Sequence, residues 1–358
     1  MDGLHLIEPA DGAVTAPLQR FHWPPDVAPA ANEAANRTSV AIPVRWNNLE
    51  AQVLANDRTV PEAVRFSWND PAAAGQAVNY TLTLSRFQDF GEAVVLGELQ
   101  ATQVEVQNLH IATRYFWKVA ACVDNREVRH SPVWSFTTHK APPRWIAVPG
   151  ITNVRDIGGW PLPGGRRVRQ SRIYRSSEMN SHLQITEAGM RLLVDQLGIR
   201  TDLDLRSQPE EVCPVLDPAR VEWINIPIAP YGAISSPGFF DAYRRIFEVF
   251  ADPSKHPILF HCWGGADRAG TVAFLLSALL GKSRENLVRD YELSSLSIWG
   301  ERSRGSKEFQ ALLDALGPFD PGADDLSAAV EKYLLSIGVT REMIDRIRAQ
   351  MIEDDAPR

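Results

Sequence analysis

The chain has 358 residues, enough for two domains of ~150 residues each, and its 44% hydrophobic and 23% charged composition is that of a globular protein with ample core material. Its 37 basic and 44 acidic side chains sum to −7, which argues against retention on nucleic acid or acidic lipid by bulk charge but leaves room for a local basic pocket. Cys122, Cys213 and Cys262 are far apart and form no CxxC pair, so a disulfide framework or a zinc ribbon is not expected. No basic stretch followed by an apolar run opens the chain, and the longest apolar stretch, around residues 271–280, is far short of the ~20 that a membrane span needs. The expectation is a soluble, cytoplasmic protein with no signal peptide, no membrane span and no nucleic-acid partner.

Up to about residue 142 the chain reads as all-β. Residues 64–68, 78–84, 94–96 and 115–121 are short alternating runs rich in aromatic and β-branched side chains. Breaks at Asn69-Asp70-Pro71, Asp89-Phe90-Gly91 and Asp124-Asn125 recur at the spacing of a β-sandwich. Tyr115, Trp117 and Val119 share one parity and should face a core. This half shows no paired carboxylates, no metal-ligand spacing and no Gly-rich phosphate loop. Residues 109–119, followed by Ser131-Pro132-Val133-Trp134-Ser135-Phe136-Thr137-Thr138, resemble the last strands of a fibronectin type III domain. In that family a Leu and a Tyr six residues apart, here Leu109 and Tyr115, mark the turn into the penultimate strand, and Trp68 would be the strand-B tryptophan. Residues 6–12 would supply the first strand, with an irregular Pro/Ala/Asn-rich insertion at about 20–60. A protein or glycan ligand for this module is the partner the resemblance suggests; Trp23, Trp46 and Trp68 could grip a glycan, with core packing the competing use of each.

His139-Lys140-Ala141-Pro142-Pro143 reads as a linker, dividing the chain into 1–142 and 143–358. Beyond it Thr186 can cap a helix carrying Met190, Leu193, Val194 and Leu197 at i, i+3, i+4 and i+7, ended by Gly198. Strands at 199–206 and 221–228 follow, then an amphipathic helix through Phe240, Tyr243, Ile246, Phe247 and Phe250. Pro257-Ile258-Leu259-Phe260 is a continuous apolar run, as in a central strand covered on both faces. Helices are expected at 268–280, 285–297, 307–316, 325–337 and 340–352. The fold class is therefore multidomain: an N-terminal all-β sandwich and a C-terminal α/β domain with a central, largely parallel sheet flanked by helices.

The chemistry concentrates in His261-Cys262-Trp263-Gly264-Gly265-Ala266-Asp267-Arg268-Ala269-Gly270. A buried strand ends at a cysteine, five residues with two glycines follow, and an arginine opens an apolar helix. Loop N–H groups and the positive helix end converge on a site for an oxyanion. The same field stabilises a thiolate, making Cys262 a nucleophile. Gly264 and Gly265 let the backbone curl around the anion, and Arg268 offers two-pronged bonding to a tetrahedral oxyanion. The competing reading is a small buried cysteine followed by an ordinary turn; a rhodanese-like sulfur-transfer loop would also place a cysteine after a strand.

His-Cys-x5-Arg is the signature of the protein tyrosine phosphatase superfamily, which this half resembles from about Arg144 to the C-terminus. More narrowly it resembles the bacterial tyrosine and dual-specificity branch that includes the mycobacterial protein tyrosine phosphatase B. The matching elements are Asn153-Val154-Arg155-Asp156-Ile157-Gly158-Gly159, Tyr174-Arg175-Ser176, Gly198-Ile199 with Asp204-Leu205-Arg206, and Asp290-Tyr291-Glu292-Leu293-Ser294. The resemblance implies phosphomonoester hydrolysis without metal or cofactor, on a phosphorylated protein or a small phosphomonoester. Cys262 would form the phosphocysteine, Arg268 would bind phosphate, and Asp267 would be the general acid, with N-capping of the next helix as its alternative use and Asp241 as its rival. Trp263, Gly264, Gly265, Ala266, Ala269 and Gly270 would complete the phosphate-binding loop.

Supporting roles fall to His261, Asn153, Arg155 and Asp156: His261 would orient the cysteine backbone or simply be a satisfied buried imidazole, and Arg155 and Asp156 would brace the loop or make turn chemistry. Two departures stand out. The family's usual Ser or Thr after the arginine is Ala269, which implies slow phosphoenzyme breakdown, and a phosphate-binding pseudoenzyme is the alternative it suggests. The lysine often found before the loop aspartate in members acting on phosphoinositides is Ala266, which favours phosphotyrosine or another monoester over phosphoinositide or sugar phosphate. Arg166, Arg167, Arg169, Arg172 and Arg175 form a basic run that either is a solvated face or lines the approach to the site. Residues 231–239 and 303–307 are lid candidates.

Overall fold

Alternating burial builds the first part of the structure, a computed structural model that describes residues 4–19, 57–73, 77–124, 126–208, 212–320 and 325–354. Its strands are β1 (His5–Glu8), β2 (Ala13–Val14), β3 (Val64–Asn69), β4 (Asn79–Ser85), β5 (Val94–Leu99), β6 (Gln103–Val106), β7 (Arg114–Val123), β8 (Arg126–His130) and β9 (Trp134–Thr137). One sheet runs β1-β3-β6; the other runs β2-β9-β7-β4-β5, with β8 on β7. All pairings are antiparallel except β2 with β9. Phe66 and Trp68 from the first sheet and Leu82, Trp117, Val119 and Phe136 from the second share one core, with Phe66 edge-on to Trp117 at 5.1 Å. Tyr115, Trp117 and Val119 all point inward. Trp68 packs edge-on to Tyr80 in that core; Trp23 and Trp46 lie outside the described residues.

Among the described residues the second compact unit holds residues 143–354 and also residues 57–60. Its strands are β10 (Arg155–Asp156), β11 (Pro161–Leu162), β12 (Arg166–Val168), β13 (Ile173–Ser176), β14 (Thr201–Asp204), β15 (Glu222–Asn225), β16 (Ile258–His261) and β17 (Ile352–Asp354). Its helices are α1 (Glu187–Arg191), α2 (Pro237–Ala251), α3 (Arg268–Leu279), α4 (Arg284–Glu292), α5 (Lys307–Leu316), α6 (Leu326–Ser336) and α7 (Arg341–Met351). The main sheet has the order β10-β13-β16-β14-β15, parallel except for β10. β16 is central and wholly buried: Ile258 and Phe260 enter one apolar cluster and Leu259 the other, on the opposite face. α3, buried from Ala269 to Leu279, follows that strand after the loop of residues 262–267.

Several expected elements are shorter than the sequence pattern suggests. The two strands after Gly198 are four residues each; the first ends where the Asp204 side chain accepts from the Arg206 N–H at 3.0 Å and turns the chain out of the sheet. Thr186 does cap α1, accepting from Gly189 N at 3.1 Å, but the helix continues as a π-helical turn over Leu192–Gln196. The helix expected at 285–297 stops at Glu292 and tightens into a 3₁₀ turn. By its contacts the chain divides after residue 142, with residues 57–60 grouped across that division. Asp57–Val60 belong with the second unit: Asn153 N–H donates to Thr59 Oγ1 at 2.9 Å and Arg58 N–H to Leu296 O at 3.0 Å. No helix among the described residues is long and apolar enough to cross a membrane.

Gly158 sits where a Cβ would lie 2.4 Å from Arg169 O and 2.5 Å from Gln170 Cα, both backbone atoms. Gly158→Ala must therefore displace the chain that follows β12. The expected cost is about 1–3 kcal/mol, read as a fall in Tm of roughly 2–4 °C per kcal/mol for a unit of this size; an unchanged Tm would show that the contact relaxes freely.

Candidate active site

A trans peptide sends the C=O of one residue and the N–H of the next to opposite sides. Residues 262–267 use this rule three times in succession. Trp263 O accepts from Glu178 N–H at 2.7 Å, Gly264 O from Asn153 Nδ2 at 3.0 Å, and Gly265 O from the Arg175 guanidinium. All three carbonyls are thus tied to protein on one side, and the N–H groups of Gly264, Gly265 and Ala266 are directed to the other. Among the described residues those three N–H groups meet no acceptor, although the residues are buried. N–H groups of buried residues normally have an acceptor, and three adjacent ones left without a protein acceptor can together serve an anion. Gly265 has φ +66°, and a Cβ there would strike Ser176 O at 2.4 Å, so only glycine fits.

Cys262 follows β16 and is 2% exposed. Arg268 opens α3 five residues after the cysteine's loop begins, and Ala269 and Gly270 lie buried in the first turn. His261, the last residue of β16, is fully buried with Nε2 3.0 Å from Asp202 Oδ1. Burial works against its charge, yet Asp202 and Asp204 outweigh that and hold its pKa above the usual histidine value. Asp204 in turn is gripped by Arg206, which reaches Glu178 Oε2 at 3.4 Å, and Glu178 Oε1 lies 3.0 Å from His182 Nδ1. The His182 ring stacks on Trp263 at 4.3 Å. An ion-pair chain from His261 thus ends at His182, whose ring stacks on the residue at the other side of Cys262. Trp299 closes over Gly264, its ring 3.0 Å from where a Cβ would stand.

The carboxylate of Asp267 does not cap α3. Instead Arg302 donates to it twice, Nε to Oδ1 and NH2 to Oδ2, both at 2.8 Å, and Tyr231 donates its hydroxyl to Oδ1. Burial pushes the Asp267 pKa up, but the Arg302 charge and both hydrogen bonds prevail and hold it below the ordinary carboxylate value. Thr271 is committed elsewhere: its Oγ1 donates to Asp267 O and accepts from Tyr231 N–H at 2.8 Å. Asp241 does not join the loop; it pairs with Arg244 on the exposed face of α2.

Asn153 and Arg155 meet the loop from below. Arg155 bonds Asn153 Oδ1, Asp290 Oδ1 at 2.8 Å and Ser294 Oγ at 3.0 Å. Asp156 faces the other way, holding Arg144 at 2.9 Å and the N–H groups of Gly158 and Ser171, so it braces the turn and not the loop. In the basic run, Arg167 and Arg169 are held by Glu353 of β17 and Arg175 is buried under Gly265, so only part of it is a solvated face. The lid candidates supply anchors: Tyr231 begins a 3₁₀ turn and binds Asp267, and Ser306 caps α5 by accepting from Phe309 N–H. Glu178, His182 and Arg302 escaped sequence reasoning; each is a polar residue in an irregular segment with no spacing signal.

A protein of Cupriavidus necator, named provisionally as a tyrosine-protein phosphatase, is 31% identical over 174 residues, covering 41% of this chain and 61% of that protein. The chain thus spans less than two thirds of that relative. The Mycobacterium tuberculosis protein named triple specificity protein phosphatase PtpB is 25% identical over 217 residues, covering 47% of this chain and 75% of it. Among solved structures, the core catalytic domain of the S. cerevisiae PP-IP phosphatase SIW14 covers 49% of this chain and 97% of that domain at 18% identity, with a TM-score of 0.30. The model of the tyrosine phosphatase family matches residues 146–353, more than half of the chain, and the chain belongs to that family.

Proposed function

We propose that the second unit hydrolyses phosphomonoesters, with phosphotyrosine or another aryl ester as substrate, through a cysteinyl-phosphate on Cys262. The observation that carries this reading is the set of three buried N–H groups without acceptors beside a buried cysteine and an arginine at the head of an apolar helix. Three phosphoryl oxygens suit such donors, and Arg268 supplies the paired donors and charge. The Cys262 sulfur attacks phosphorus, the ester P–O bond breaks, and Asp267 delivers a proton to the departing oxygen. Water then attacks phosphorus, gives its proton to Asp267, and the S–P bond breaks to return thiolate and release phosphate. Trp263, Trp299 and His182 flank the loop with flat aromatic surface that suits an aryl group, and Ala266 puts no cation there for a second phosphate.

Asp267 must hold a proton to act as acid, and Arg302 opposes this. A bound phosphate dianion works in the other direction, since a second negative charge nearby favours the neutral carboxyl. Ala269 offers sulfur no hydroxyl, and Thr271 is committed elsewhere, so breakdown of the phosphoenzyme is the slow step. The same alanine supports a second reading, a phosphate-binding protein without turnover. For the first unit we propose a fibronectin type III-like module that binds protein or glycan. What supports it is the Tyr115 hydroxyl at the start of β7, which accepts the His110 N–H at 2.9 Å as in the tyrosine corner of such sandwiches.

Hydrolysis of an aryl phosphate is expected to persist in EDTA, to be inhibited by vanadate and to vanish in Cys262→Ser; no hydrolysis by the wild type, with phosphate still bound, selects the binding protein. A pre-steady-state burst is expected, and Ala269→Ser should shrink it while raising kcat. Asp267→Asn should lower the rate by about 10²–10⁴ with a poor leaving group, whereas Asp241→Asn should leave it unchanged. Removing the Arg302 charge in Arg302→Gln should let the Asp267 pKa rise. The alkaline limb of kcat/KM then moves to higher pH, and a carboxyl NMR titration of Asp267 moves with it; a limb that stays put means that Asp267 is not the acid.

A further inference from the structure

Three of the four sequence elements that carry the resemblance, those of Arg155, Arg175 and Asp290, converge beneath the loop on one carboxylate. Asp290, on α4, receives Arg155 Nε at 2.8 Å, and its Oδ2 stands 3.6 Å from both Arg175 NH1 and Lys282 Nζ. Arg155 is passed on through Asn153 to Gly264 O, and Arg175 reaches Gly265 O directly. Both glycine carbonyls are therefore anchored through arginines whose common counter-ion is Asp290. Lys282 is buried, and apart from Asp290 its ammonium rests on the Trp160 ring, 3.6 Å from the centroid.

We infer that Asp290, charge-balanced by Lys282, is the positioning residue that turns the Gly264 and Gly265 carbonyls away from the anion and so sets the loop's N–H groups toward it. The inference rests on the reading of the loop as a phosphate site. Two physical facts carry it. Arg155 and Arg175 repel one another in a dry interior, and only an intervening carboxylate lets both point at the loop. Asp290 stays ionised there: burial alone would raise its pKa, but Lys282, Arg155 and Arg175 bring it well below the carboxylate range. The cluster holds three cations and one anion, so an excess of positive charge lies under Cys262 and its ligand. Burial brings the Lys282 pKa down to about 7, with Asp290 resisting and Arg155 and Arg175 adding to the fall. Those three charged groups and the Trp160 face are what Lys282 meets, so the excess charge is larger below neutrality than above it.

The test uses the full-length Cys262→Ser protein, so that the thiol does not titrate, and tungstate as the anion probe. Calorimetric affinity is measured across the neutral range for that parent, with Asp290→Asn and with Lys282→Met added, while Tm reports folding. Asp290→Asn keeps the shape and one acceptor but not the charge, and it should weaken tungstate by about tenfold or more, the scale seen when outer-shell partners of a ligand set are removed. Lys282→Met should bind as weakly at acid pH as the parent does at alkaline pH, flattening the pH dependence. In the Cys262 enzyme the same changes should lower kcat/KM in parallel. Folded variants with the parent's affinity and pH curve overturn the hub while leaving the phosphate site intact. A parent that binds no tungstate overturns the reading of the loop, and the hub with it. If Asp290→Asn does not fold, the Lys282→Met curve decides alone.

Discussion

Everything about the loop at residues 262–267 depends on where its carbonyls go. To aim several N–H groups at one point, the peptide planes must send as many C=O groups the opposite way, and in a buried loop each of these needs a donor. The donors come from three places distant in sequence: Glu178 N–H, the Asn153 amide and the Arg175 guanidinium. Any two of them without the third would leave one peptide free to flip and spoil the set. This is why a short loop is supported by a chain of side chains running from β10 to α4.

Most of those side chains are charged and buried, which is costly unless every charge is paired. The structure meets the condition with two networks on different sides of Cys262. One runs from Asp202 through His261, Asp204, Arg206 and Glu178 to His182. The other gathers Arg155, Arg175 and Lys282 on Asp290. Apolar residues of similar volume would pack as stably, so the reason for ions lies in direction: a bidentate or charge-assisted bond fixes an orientation that a methyl group cannot. Glu178 shows the tension, for burial drives its pKa up while His182 and Arg206 oppose.

The strand, loop and helix that frame Cys262 were legible in the sequence because their signal is local: an apolar run, glycines, then an unbroken apolar helix. Asn153, Arg155, Arg175 and Asp290 were legible only as members of a resemblance, and nothing in their spacing says that they meet. Arg302 and His182 were not legible at all. Each acts across a long loop closure onto a residue of the loop, and a polar residue in an irregular segment carries no periodicity to betray its partner. The same reason hid Asp57–Val60, four residues without regular structure whose place is fixed by Thr59 and Arg58 backbone and hydroxyl bonds to the second unit. The end of β14 was overestimated because an Asx turn at Asp204 competes with the ladder using a side chain that periodicity counts as merely polar.

The two alanines of the loop gain meaning from this arrangement. Ala266 is 1% exposed and Ala269 fully buried, so neither position has room for a longer side chain to reach the surface without displacing its neighbours. Positive charge enters instead from below, through Arg175 and Lys282, and from the rim through Arg302, where Asp267 already neutralises it. On the proposed reading, a field delivered from beneath acts on the one phosphoryl group seated in the loop and falls off toward any phosphate carried farther out. Charge placed at residue 266 would act on both. The distribution of cations, more than their number, is what fits this site to a monoester.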